Sequence, residues 1–129
     1  MIKHIVCFKL KDNSLEECEK ARDILKSMEG NVPLLRGIEV GVDLLHSQMS
    51  YDVILQVKLD DTKALEEYQN DEYHCSVVKK HMHQVAQSSI AIDYEIYLFS
   101  NFKNGLVHIK QGRFFVIIYK NGSFFLSSI

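Results

Sequence analysis

Two histidines and a tyrosine, His4, His74 and Tyr68, are of the types that move protons near neutral pH. A neutral imidazole, with an ordinary pKa of about 6.5, can take a proton from a carbon next to a carbonyl. A tyrosine hydroxyl can orient that base or donate to the developing enolate oxygen. Tyr68 and His74 lie on either side of a break in a helical pattern, so local spacing does not set their separation. Each residue also has a packing role to weigh against chemistry. His4 shares a strand face with Ile2, Val6 and Phe8, where a histidine is commonly a hydrogen-bonded core residue. In the structural alternative, His74 bonds a first-strand group, or His4, and fixes the helix to the sheet. Together the three can supply the few polar groups of an otherwise apolar pocket.

Other residue clusters point away from chemistry. His81 and His83 flank Met82, and neighbours two apart do not share a helix face. His74 and His81 can share one, but two ligands do not close a zinc site, so no metal is expected. The acidic pairs Glu16-Glu17, Glu66-Glu67 and Asp71-Glu72 read as solvated faces. The chain has no phosphate-binding glycine loop, no GxSxG and no HExxH, and no cofactor is expected. Cys7, Cys18 and Cys75 are odd in number and lack CxxC spacing, which predicts reduced, buried thiols.

A chain of 129 residues, 47% hydrophobic and 25% charged, suits an ordinary globular core. The net charge of −2 offers no bulk field for nucleic acid or an anionic membrane, and neither is an expected partner. No apolar run approaches the roughly 18 residues of a membrane span. Met1 to Ile5 lacks a signal peptide's long apolar stretch and cleavage site, so a cytoplasmic location is expected.

Periodicity then places the elements. Residues 2–9, 35–44, 51–59 and 89–97 alternate as strands. Leu15, Cys18, Ala21, Leu25 and Met28 recur at helical spacing behind a capping box, Ser14-Leu15-Glu16-Glu17, and Gly30 suits the stop. Asp60 or Asp61 opens a second helix through Ala64, Leu65 and Tyr68, and Asn70-Asp71-Glu72 interrupts it. A further helical stretch carries Val77, Val78, His81, Met82 and Val85. Gly37 and Gly41 on one face of the second strand predict a bulge or a close approach. The order β-α-β-β-α-β predicts an α+β, ferredoxin-like fold: a four-stranded antiparallel sheet with helices on one face. Apolar residues on the other face call for a second copy of the chain, hence a homodimer.

Residues 98–129 read as a separate C-terminal extension, after a domain of residues 1–97. Phe114 to Tyr119 and Phe124 to Leu126 flank Lys120-Asn121-Gly122-Ser123, the signature of a β-hairpin with a type I′ turn. Its apolar character predicts that it docks on a sheet edge or a dimer surface.

The first strand, Met1-Ile2-Lys3-His4-Ile5-Val6-x-Phe8-Lys9, resembles that of the stress-responsive A/B barrel (Dabb) family. Val40-Gly41, Tyr51-Asp52, Ala64-Leu65-x-x-Tyr68, His74 with Val77-Val78, and Asp93-Tyr94 are similar to that family in the same order, over residues 1–97. The resemblance implies a dimeric α/β barrel with a cavity between sheet and helices in each subunit. One characterised member closes a linear polyketide by an aldol reaction. In it a tyrosine and a histidine spaced like Tyr68 and His74 act with a first-strand histidine matching His4. This chain departs from the family's frequent Tyr-x-x-His-Pro-x-His, carrying Asp71-Glu72 in place of His-Pro. Val53 stands where the cyclase has a further pocket histidine. The functional expectations are therefore three. The first is a non-enzymatic, stress-associated homodimer holding a small apolar ligand in the sheet–helix pocket. The second is a polyketide cyclase-like or other acid/base enzyme using His74, Tyr68 and His4. The third, on fold analogy, is a cofactor-free monooxygenase-like enzyme.

Overall fold

Strand β3 (Val53–Leu59) is the clearest product of an alternating sequence. Val53, Leu55, Val57 and Leu59 are buried, while Lys58 between them is exposed. Strand β1 (Ile2–Leu10) pairs with it antiparallel, His4 opposite Val57 and Val6 opposite Leu55. Strand β2 (Gly37–Val42) pairs on the other side, Ile38 opposite Val57 and Val40 opposite Leu55. With β4 (Ala86–Glu95) the sheet order is β2-β3-β1-β4, the ferredoxin-like arrangement of four antiparallel strands. The computed structural model describes residues 1–96 in full and, of residues 97–129, the backbone of four strands.

Pairing, rather than alternation, sets the strand ends. β4 begins at Ala86 instead of Ser89, directly behind the preceding helix, and ends at Glu95. Just before β3, Asp52 accepts the Leu10 amide at 2.7 Å and donates its own amide to the Phe8 carbonyl at 2.8 Å. That buried carboxylate ties down the end of β1. The β2–β3 register runs unbroken from Gly37 to Val42, so the glycines mark close approach and not a bulge. A Cβ at Gly41 would lie 3.2 Å from Ile54 Cγ2, and one at Gly37 3.3 Å from Lys58 Cδ.

Helix α1 (Leu15–Lys26) is capped by Ser14, whose hydroxyl accepts the Glu17 amide at 3.4 Å. The expected box is one-sided. The Ser14 amide donates to Asp12 at 3.0 Å, while the Glu17 carboxylate pairs with Lys20 at 2.9 Å. Cys18, Ala21, Leu25 and Met28 are buried, but Leu15 is exposed, so the apolar stripe starts one turn later than its spacing suggests. Helix α2 (Thr62–Gln69) is capped by Asp61, which accepts the Ala64 amide at 2.8 Å. Asp60 instead forms a two-pronged pair with Arg36, both bonds at 3.0 Å. After the break comes a π-helical segment, His74–Lys79, running into α3 (Lys80–Val85). Ala64, Tyr68, Val78 and Met82 join the α1 residues in one core against the Val53/Leu55/Val57/Leu59 face.

The helices leave the opposite face of the sheet uncovered. Ile5, Cys7 and Ile54 are half-buried there. The Asp93 side chain meets His4 on the helix side, so alternation turns Ile90, Ile92 and Tyr94 outward with them. These three are 54%, 62% and 43% exposed.

The chain divides into two units, Ile2–Tyr94 and a second that holds Glu95–Ile129. The second is an antiparallel meander of β5 (Leu98–Phe102), β6 (Gly105–Lys110), β7 (Arg113–Lys120) and β8 (Ser123–Ser128). It has four strands where the sequence reading placed two, because short strands are stabilised by pairing that no local pattern announces. Lys120 pairs with Ser123 across the β7–β8 connection. The type I′ turn at Asn121-Gly122 and the docking of the Phe114–Tyr119 side chains lie outside the described residues.

Candidate functional site

The end of α2 builds the site. A helix C-terminus leaves carbonyls without intrahelical partners. Here the Tyr68 carbonyl accepts from the His74 ring Nδ1 at 2.9 Å. The Gln69 carbonyl accepts from Lys79 Nζ at 2.8 Å and from Cys75 Sγ at 3.3 Å. Asp71 holds the return of the chain, its carboxylate accepting the His74 amide at 2.9 Å. The Asn70-Asp71-Glu72 break is thus what brings His74 back against the residue that ended the helix. The wide π-helical turn begins at His74 itself, a deviation frequent at functional sites.

His4, Tyr68 and His74 form one buried cluster. The Tyr68 and His74 rings stack, with centroids 4.1 Å apart and an interplanar angle of 16°. His4 meets Tyr68 edge-on at 5.8 Å. His4 Nδ1 is hydrogen-bonded to the Asp93 carboxylate of β4. Asp93 was not among the residues singled out for chemistry. Its signal was a carboxylate alternating with Ile92 and Tyr94, which places it on the helix side of the strand.

Two expectations about the cluster change. The Tyr68 hydroxyl donates to Met28 Sδ at 3.6 Å within the core, and not to the His74 ring. Burial, with the nearby charge of Asp71, pushes this phenol far above its ordinary pKa. His74 likewise bonds neither the first strand nor His4. A carbonyl only accepts, so Nδ1 carries the hydrogen and the neutral ring keeps its lone pair on Nε2. Burial holds the His74 pKa below the usual imidazole value; the Tyr68 carbonyl opposes this, and the charges of Lys79 and His4 reinforce it.

The three residues open onto a cavity of about 460 Å³, walled by Val6, Phe8, Leu25, Leu55, Val78 and Met82. That size is in the range of small-molecule sites, about 300–1,000 Å³. His83 also lines it, whereas His81 has Nε2 buried without a hydrogen-bond partner. Among the described residues no three His, Cys, Asp or Glu side chains gather as a metal site would require. Cys18 is buried and Cys7 half-buried, but Cys75 is exposed, against the expectation of buried thiols.

A ferredoxin-like sheet with one open apolar face, helices on the other and a cavity between them defines a dimeric-barrel type of domain. The sequence model of the stress responsive A/B barrel domain, Dabb, matches residues 2–96, and the chain belongs to that family. Solved structures share the fold. A dimeric ferredoxin-like protein from Bacteroides fragilis is 24% identical, with a TM-score of 0.62, over 74% of this chain and 95% of its own. A protein from Arabidopsis thaliana is 18% identical, with a TM-score of 0.65, over 78% of this chain and 100% of its own. A hydroxynitrile lyase from Passiflora edulis is 12% identical, with a TM-score of 0.63, over 74% of this chain and 92% of its own. No curated protein sequence matches the chain. Among the described residues, no helix is long and apolar enough to cross a membrane.

Proposed function

We propose that the cavity binds a small, mostly apolar carbonyl compound and that His74 is its general base, in a homodimer closed through the open sheet face. The observation that carries this reading is the His74 Nδ1–H bond to the Tyr68 carbonyl, which leaves the Nε2 lone pair for a ligand. Burial keeps that ring neutral to lower pH than an exposed histidine, so it is ready to accept a proton. In the step, the C–H bond next to the carbonyl breaks, its proton goes to His74 Nε2, and its electron pair enters the enolate. The same proton returns from His74 Nε2 to carbon or passes to the enolate oxygen, which restores the neutral base, while His4, anchored through Nδ1 by Asp93, lines the same cavity. The Tyr68 ring is the platform on which His74 lies. A hydroxynitrile lyase shares this fold, so the fold accommodates an enzyme. The dimer is supported by exposed Ile90, Ile92 and Tyr94 and by a similar structure described as dimeric.

The test needs no knowledge of the natural product. Small aryl ketones in D₂O exchange their α-protons when a base abstracts them, and NMR follows the loss of signal. His74→Asn keeps a donor for the Tyr68 carbonyl but has no Nε2. The wild-type protein is expected to accelerate exchange over buffer, and H74N to lose about 10²-fold or more of that rate. Equal exchange by both proteins refutes the assignment of the base.

A further inference from the structure

The cavity lining is mixed. Beside its apolar side chains it carries Lys79 and His83, with Gln87 and Ser88 from the start of β4. Lys79 closes the π-helical segment and His83 lies one helical turn on, so the two share a face. No Asp or Glu lines the cavity among the described residues. The two acidic groups beside the cluster are hydrogen-bonded to it from outside the cavity lining, Asp93 to the His4 ring and Asp71 to the His74 amide. Lys79 Nζ spends one donor on the Gln69 carbonyl at 2.8 Å, which holds it at the cavity and leaves two donors. Its charge reaches His74 and lowers that pKa, where the charge of Asp71 acts in the opposite sense.

Resting on the reading of this cavity as a ligand site, we infer that its ligand is amphipathic. An apolar body lies against the apolar side chains, and one anionic group, a carboxylate, is held by Lys79 and the His83 imidazole. A cation beside an apolar wall, with no carboxylate in the lining, favours an acid over a neutral molecule of the same shape. A carboxylate there neutralises Lys79 in a partly enclosed site, where salt screens the attraction less than at an open surface.

Matched pairs test this: 4-phenylbutyrate with 4-phenylbutyramide, and 2-naphthylacetate with its amide, titrated into the full chain by calorimetry. Each acid is expected to bind about tenfold more tightly than its amide, the effect of one charge-assisted hydrogen bond. Lys79→Gln should abolish that preference, and Lys79→Arg should restore it. His83→Gln should reduce it in part. Near-UV circular dichroism identifies any variant that has lost its packing, and K79R then carries the comparison. Amides that bind as well as the acids, or a preference that survives in K79Q, overturn the inference and leave the ligand cavity standing. Binding of neither member of either pair overturns both.

Discussion

At the scale of residues, the informative contrast is between Tyr68 and His74. Both are buried and their rings stack, yet only one has a reactive atom free of core partners. The Tyr68 hydroxyl is committed to Met28, and its carbonyl, not its phenol, sets the tautomer of His74. His74 also leaves a signature in stability. Its folded pKa lies below its unfolded value, so between the two the unfolded chain binds the proton that the folded chain does not. The contribution is fully present above about pH 6.5 and is lost as pH falls toward the folded pKa. Urea midpoints at about pH 7.5 and about pH 5 are expected to drop further in wild type than in H74N, which lacks the titrating ring. Equal drops would show that His74 titrates as it does in the unfolded chain.

At the scale of elements, the segment from α2 to β4 matters most. A single uninterrupted helix would carry His74 away from the Tyr68 carbonyl. The break at Asn70-Asp71, the π-helical turn and the direct passage from Val85 to Ala86 return the chain onto the sheet. The start of that segment depends on one cap. Asp61→Ala removes the acceptor for the Ala64 amide and is expected to cost about 1 kcal/mol in chemical denaturation. Asp60→Ala, whose exposed pair with Arg36 lies on the surface, is expected to cost less. The reverse order would mean that Asp60 is the cap in solution.

At the scale of the molecule, the sheet is finished on one face only. Large side chains on the open face, Ile90 and Ile92 above all, are more than half exposed in the single chain. A second copy covering them would form an interface of about 1,200 Å² or more in total. Ile92→Asp changes no residue of the protomer core, so the fold should survive while the assembly does not. Light scattering at micromolar concentration is expected to give a dimer for wild type and a monomer for I92D. A wild-type monomer would refute the pairing, and a dimeric I92D would move it to another surface.

The β-α-β-β-α-β order, the face of each strand and the buried stripe from Cys18 to Met28 could all be read from periodicity alone. These features arise from residues a few positions apart, where the 2.0 and 3.6 repeats act directly. The additional strands β5 and β6, the early start of β4 and the π-helical turn could not, since pairing and helix termination decide them. The same holds for the site. The chain names His4, Tyr68 and His74 as residue types able to move protons, but their partners lie far away in sequence or depend on backbone direction. Asp93 reaches His4 from the opposite end of the domain, and Met28 takes the Tyr68 hydroxyl from another helix's end. Which nitrogen of His74 is free follows from a carbonyl whose direction is set only when α2 stops. Tertiary structure decided these points because a hydrogen bond depends on distance and direction in space, and neither is encoded by local spacing.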